Sequence, residues 1–149
     1  MKYSELHRII ARNGMKQVDI TLNVAKDGFY SAYCDECPAL FGSGNTPDAA
    51  VAELKETLRL TQEDGREKAL FYPEWLDDEY DFRIHWDVES LLRYYSGIIT
   101  PTALGKLSGI HPKQVWSYMH GRSKPRKAQI AKIENAIHQL GQQLISITF

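Results

Sequence analysis

Between Lys113 and Lys127 the chain sets Lys113, Gln114, Trp116 and Ser117 close together, then Arg122, Lys124, Arg126 and Lys127 a few residues further on. Lysine and glutamine side chains pair with guanine and adenine edges in a major groove, whereas a run of basic residues neutralises phosphates whatever the base. No Asp or Glu occurs from Ser90 through Ile133, so nothing in this stretch repels a polyanion. These residue types point to nucleic acid as the ligand. Lys113, Gln114, Trp116 and Ser117 are the candidate base readers, and Arg122, Lys124 and Lys127 the candidate phosphate contacts.

The elements that must position them can be read from the flanking residues. Thr100 can cap a helix whose first residue is Pro101, because a threonine oxygen satisfies an orphan N–H and proline has none to orphan. Leu104 and Leu107 supply its apolar face. Ser108 and Gly109 stop it and provide a permissive turn, His111 caps a second helix, and Pro112 opens that helix. On the second helix Val115 and Tyr118 recur at i and i+3 and face inward, which leaves the candidate readers outward. Gly121 ends it. The spacing predicts a helix-turn-helix, the alternative being a helical hairpin with a solvated basic face.

The chain has 149 residues and a formal charge of −1 that hides a strong asymmetry. Residues 1–86 carry 10 Lys and Arg against 16 Asp and Glu, a net −6, while 87–149 carry 8 against 3, a net +5. Two small domains with different partners are expected, the basic one suited to phosphate and the acidic one to a cationic protein. No segment has the length of a membrane span or of a signal-peptide core, so a cytoplasmic protein is expected. Cys34 and Cys37 form a single C-x-x-C with no second Cys or His pair to complete a zinc site, and read as two reduced thiols in a turn. No metal or other cofactor is expected.

In the acidic half, Ser4 to Asn13 reads as a short helix with Leu6, Ile9 and Ile10 on one side. Val18, Ile20, Leu22 and Val24 alternate with polar residues as a half-buried strand, Asp27 and Gly28 give a short-hairpin signal, and Phe29 to Cys34 returns as a second strand. Ala39 to Ser43 forms a third. Thr46 caps a helix that begins at Pro47, carries Ala50, Val51, Leu54 and Leu58 on one stripe, and ends at Gly65. Phe82, Ile84 and Trp86 mark a fourth strand. The connection before it interleaves Glu74, Asp77, Asp78, Glu79 and Asp81 with Trp75, Leu76 and Tyr80, as an interface with aromatic anchors would; a solvated acidic loop is the alternative. Leu144 to Phe149 alternates apolar and polar residues and reads as a strand that pairs with its twin in a homodimer. The fold class is thus α+β: a β-β-β-α-β domain with an N-terminal helix over 1–86, then an all-α helix-turn-helix domain with a C-terminal strand over 87–149.

The wording GFYSAYCDECPALFGSGNTPDAAVAELKETL resembles the HicB antitoxin family, with Gly28, Phe29, Tyr33, Pro38, Gly42, Gly44, Thr46, Ala49, Ala50 and Leu54 at the family's positions. Residues Leu104, Gly105, Gly109, Val115 and Gly121 resemble the Xre and phage-repressor class of helix-turn-helix, although His111 replaces the usual Ser or Thr cap and Pro112 stands where relatives often carry a base reader. The resemblance implies an antitoxin that binds a HicA-like messenger-RNA endonuclease and represses its own operon. It implies base contact by Lys113, Gln114 and Ser117, and phosphate contact by Thr100, Thr102 and the Arg122 to Lys127 turn; a homodimer or higher even oligomer is expected from the twinned C-terminal strand. The toxin would meet Glu74, Trp75, Asp77, Asp78, Glu79 and Tyr80.

Catalysis is not expected. The N-terminal YSELHRIIARNG is faintly similar to the opening helix of the HicA toxins, but no Gly-Ser-His signature follows it. The five histidines lack Ser, Asp or Cys company at short range, and Asp19 and Asp35 are too few carboxylates for a two-metal site. A stand-alone transcription regulator with a HicB-like sensor domain is the alternative function. The neighbouring reading frame separates the two: a small basic protein with Gly-Ser-His favours the antitoxin.

Overall fold

A computed structural model describes residues 15–149; the expected helix at Ser4 to Asn13 lies outside them. The chain is α+β and divides into two compact units after Trp86.

The first unit holds β1 (Lys16–Val24), β2 (Tyr30–Cys34), β3 (Phe41–Gly44), α1 (Pro47–Lys68), a 3-10 turn (Glu74–Asp77) and β4 (Tyr80–Trp86). Its sheet runs β3-β2-β1-β4, with β1 antiparallel to β2, β2 antiparallel to β3, and β4 parallel to β1. Period-two alternation sends Val18, Ile20 and Leu22 to the face that meets Ala50, Leu54 and Leu58 of α1. Thr46 Oγ1 accepts from Ala49 N at 3.1 Å, so the helix starts where its cap requires. α1 approaches β3 so closely that a Cβ on Gly42 would lie 2.2 Å from the Ala50 carbonyl oxygen.

Several expectations change. The hairpin signal becomes a wider connection, in which Ala25 N donates to Phe29 O at 2.8 Å and Gly28 takes a positive φ of 88°. Gly65, at φ 73° and ψ 171°, breaks α1 without ending it, since helix resumes to Lys68. Trp75 and Leu76 are not surface anchors: the 3-10 turn rotates both into the core, and Trp75 packs edge-on to Tyr80 at 5.1 Å between centroids. Tyr80 and Asp81 belong to β4, not to a loop.

Cys34 and Cys37 are both buried, with Cys37 N donating to Cys34 O at 3.1 Å. Burial pushes both thiols up, Cys37 to about 11, so neither is a thiolate near neutral pH. A thiol reagent at pH 7.5 should therefore leave the folded protein unmodified for hours and label two sites once denaturant is added. Fast labelling of the native chain would contradict this packing.

The second unit holds α2 (Val88–Tyr94), α3 (Pro101–Ser108), α4 (Pro112–Met119) and α5 (Lys127–Ile145). Asp87 caps α2 by accepting from Ser90 N at 3.0 Å. Leu92, Leu104, Ile110, Val115, Tyr118 and Ile133 form its core. On α3 the inward stripe runs through Pro101, Leu104, Gly105 and Ser108, which leaves Leu107 outside it and exposed. The expected C-terminal strand is absent from this unit. Residues to Ile145 continue α5, because a helix satisfies its own backbone groups while an unpartnered strand does not. No described helix is long and apolar enough to cross a membrane.

Candidate nucleic-acid interface

Two eight-residue helices, α3 and α4, carry the site. Thr100 Oγ1 accepts from Ala103 N at 3.1 Å and fixes the start of α3. Gly109 closes it at φ 73°, a backbone region that glycine enters freely. The helices then meet tightly: a Cβ on Gly105 would come within 2.8 Å of Ile110 O and 3.0 Å of the Pro112 ring. His111 caps α4 through Nδ1, which accepts from Lys113 N at 3.2 Å.

This packing opens a shallow concavity of about 690 Å³ between the two helix N-termini and the turn after α4. Thr102 enters from α3, Lys113, Trp116 and Ser117 from α4, and Arg122 from the turn. Five of the expected contact residues thus share one surface, and no carboxylate lines it. Thr100, Lys124 and Lys127 are exposed but lie outside the concavity.

Gln114 is placed differently from the expectation. It is half-buried beside the concavity, and its Nε2 donates to Ser123 Oγ at 3.0 Å, which donates in turn to Ser117 Oγ at 3.0 Å. Its amide nitrogen is engaged by its own chain. Trp116 is 39% exposed, with the His120 ring stacked on it at 4.0 Å and the Arg122 guanidinium 4.6 Å from its centroid. Ser123 did not stand out in the sequence, since its bonds to Gln114 and Ser117 form only once the turn at Gly121, where φ is 65°, brings it back to α4. His120, in contrast, stacks on Trp116 one helical turn away, an i, i+4 spacing the sequence already shows.

The acidic connection is partly consumed by internal bonds. Asp77 accepts from the Tyr72 hydroxyl and from Arg66 Nη2 at 3.1 Å, and these partners, Tyr72 first, hold its carboxyl below the usual range. Glu74, Asp78 and Glu79 remain exposed and form no ion pair among the described residues, while Trp75 is buried.

On the sheet face away from α1, Asp19 accepts from Arg83 at 2.6 and 3.0 Å and lies 2.9 Å from His85 Nε2. The Arg83 hydrogen bond, then His85, holds the Asp19 carboxyl far below the carboxylate range. Asp35 accepts from Thr21 Oγ1 at 2.8 Å. Both carboxylates are therefore occupied by neighbours, and no group of three His, Cys, Asp or Glu among the described residues could hold a metal.

Compared with family models, curated proteins and solved structures, the chain matches none. Its function must be argued from the site.

Proposed function

We propose that this chain is the antitoxin of a HicAB-type module. Its first unit binds and silences a HicA-like messenger-RNA endonuclease, and its second unit, a helix-turn-helix, represses the operon that encodes both. The observation that carries the reading is the single concavity that gathers Thr102, Lys113, Trp116, Ser117 and Arg122 on a unit of net charge +5, joined in one chain to an α+β unit of net charge −6. A positive surface with donors near a helix N-terminus suits operator DNA, and an acidic unit suits a cationic ribonuclease surface. Glu74, Asp78 and Glu79 would steer the toxin more than anchor it.

Operator reading implies two linked half-site readers. The end of α5 supports a second copy: Leu144 and Ile145 are exposed, as are Ile147 and Phe149 beyond it, and residues 135–149 carry no Lys, Arg, Asp or Glu. An uncharged apolar segment meets its own twin without like-charge repulsion.

Two experiments test the proposal. Residues 1–86, co-expressed with the small basic protein of the neighbouring reading frame, should restore growth without the second unit. Rescue by the full chain alone would refute the division of labour, and the absence of such a frame would favour a stand-alone regulator. Lys113→Ala should cost about 1–3 kcal/mol on a duplex from the chain's own promoter and little on scrambled DNA. Equal loss on both would remove α4 as the reader.

A further inference from the structure

Among the basic residues after α4, Arg122 stands apart. Lys124, Arg126 and Lys127 project from the turn and the start of α5 and do not line the concavity, whereas Arg122 enters it beside Lys113 and Ser117. Its guanidinium lies over the Trp116 ring at 4.6 Å from the centroid, and its backbone N donates to Ser117 O at 2.9 Å. Ser123, the next residue, is bonded to both Gln114 and Ser117, so the turn is fastened to α4 on either side of the arginine. Among the described residues no carboxylate pairs with it.

We propose that Arg122 is a specificity determinant that reads a guanine, with Trp116 as its support and Gln114 as a positioning residue acting through Ser123. This rests on the operator-binding function proposed above and assigns its chemistry. A phosphate is met by a lysine as a point charge or by an arginine fork, and Lys124 and Lys127 already supply point charges nearby. The guanine edge presents O6 and N7 side by side, and a planar guanidinium answers both at once. Its position over the indole, 4.6 Å from the centroid, restrains the guanidinium, so less freedom is lost when a pair forms. A phosphate offers the same fork two oxygens, so what marks Arg122 as a reader is its place in the concavity beside Lys113 and Ser117 at the start of α4, and sequence dependence is what separates the two contacts.

The test uses the full chain, a duplex from its own promoter and a scrambled duplex, each titrated at several salt concentrations. Arg122→Lys keeps the charge and loses the fork and the stack. It should lose about 10- to 100-fold in affinity for the promoter duplex while its affinity for scrambled DNA and its salt slope stay at the wild-type values. Sequences selected from a random pool by the wild type should share a guanine that the Arg122→Lys pool does not. Trp116→Ala should reproduce that loss and Trp116→Phe should largely avoid it, with thermal melts showing each variant folded. Gln114→Ala should weaken the promoter complex without changing which bases are selected. An Arg122→Lys protein that matches the wild type on the promoter, or that loses both duplexes equally, overturns the assignment and leaves Arg122 as a phosphate contact. A wild-type chain that binds neither duplex overturns operator binding itself, a separate and recognisable failure.

Discussion

Leu104→Ala should abolish the proposed operator binding while leaving the proposed toxin neutralisation intact. Leu104 is fully buried in α3, packed in a core shared with Ile110, Val115, Tyr118 and Ile133. Truncating such a leucine costs about 2–5 kcal/mol, the transfer loss plus the cavity. The second unit, Asp87–Phe149, is small; at typical stabilities per residue it holds on the order of 3–9 kcal/mol in all. The substitution therefore removes much of that reserve, and α3 and α4 lose the spacing that forms the concavity. A thermal melt of the variant should show the second unit's transition moved down by many degrees, and promoter titration at 37 °C should show no specific complex. Undiminished promoter binding would mean that the concavity is not the reading surface, and loss of growth rescue would mean that the two units are not independent.

Gly42→Ala should do the reverse. The added Cβ would sit 2.2 Å from Ala50 O and 2.3 Å from Leu54 N, and both are backbone atoms of α1 that cannot rotate aside. α1 must lift from β3, uncovering Val18, Ile20 and Ala32 beneath it. Overpacking costs about 1–3 kcal/mol where side chains yield, and more where only a helix can move. The first unit should melt early or fail to accumulate folded, and growth rescue should vanish while promoter binding by the second unit persists. Gly28 is the control. A Cβ there meets nothing within 4 Å, so Gly28→Asn has only the positive φ to contend with, which asparagine tolerates, and should leave rescue unchanged. Equal tolerance at both glycines would disprove the close packing of α1 on β3.

The features legible in the sequence are those whose cause is local. Alternation in Val18 to Val24 fixes a buried face regardless of what covers it, and the caps at Thr46, Thr100 and His111 bond within their own first turns. Leu144 to Phe149 misled because six residues are too few to separate a period of two from one of 3.6, and Leu144 and Ile145 suit either. Seven-residue α2 left no signal of its own; its cap at Asp87 and its buried Leu92 are clear only once Ser90 and the core are in place. Trp75 was misread because a charged neighbourhood in sequence says nothing of which way the 3-10 turn at Glu74 rotates a side chain. Gln114 is half-buried because Ser123, returned by the αL glycine at 121, bonds its amide.

The parallel pairing of β4 with β1 brings Arg83 to Asp19 across 64 positions of chain, while β1, β2 and β3 pair through short connections. Contacts so distant in sequence form late, because the intervening loop must close before they return any energy. On a ribosome, the hairpin strands and α1 can assemble while β1 still shows a bare hydrogen-bonding edge, and that edge is covered only when residues 80–86 have emerged. At about 5–20 residues per second, residues 87–149 then follow within roughly 3–13 s. The second unit, built from helices in close succession, is thus synthesised after the first is already sealed. A messenger cut anywhere before β4 yields a fragment with an open strand edge, exposed to proteases and to aggregation.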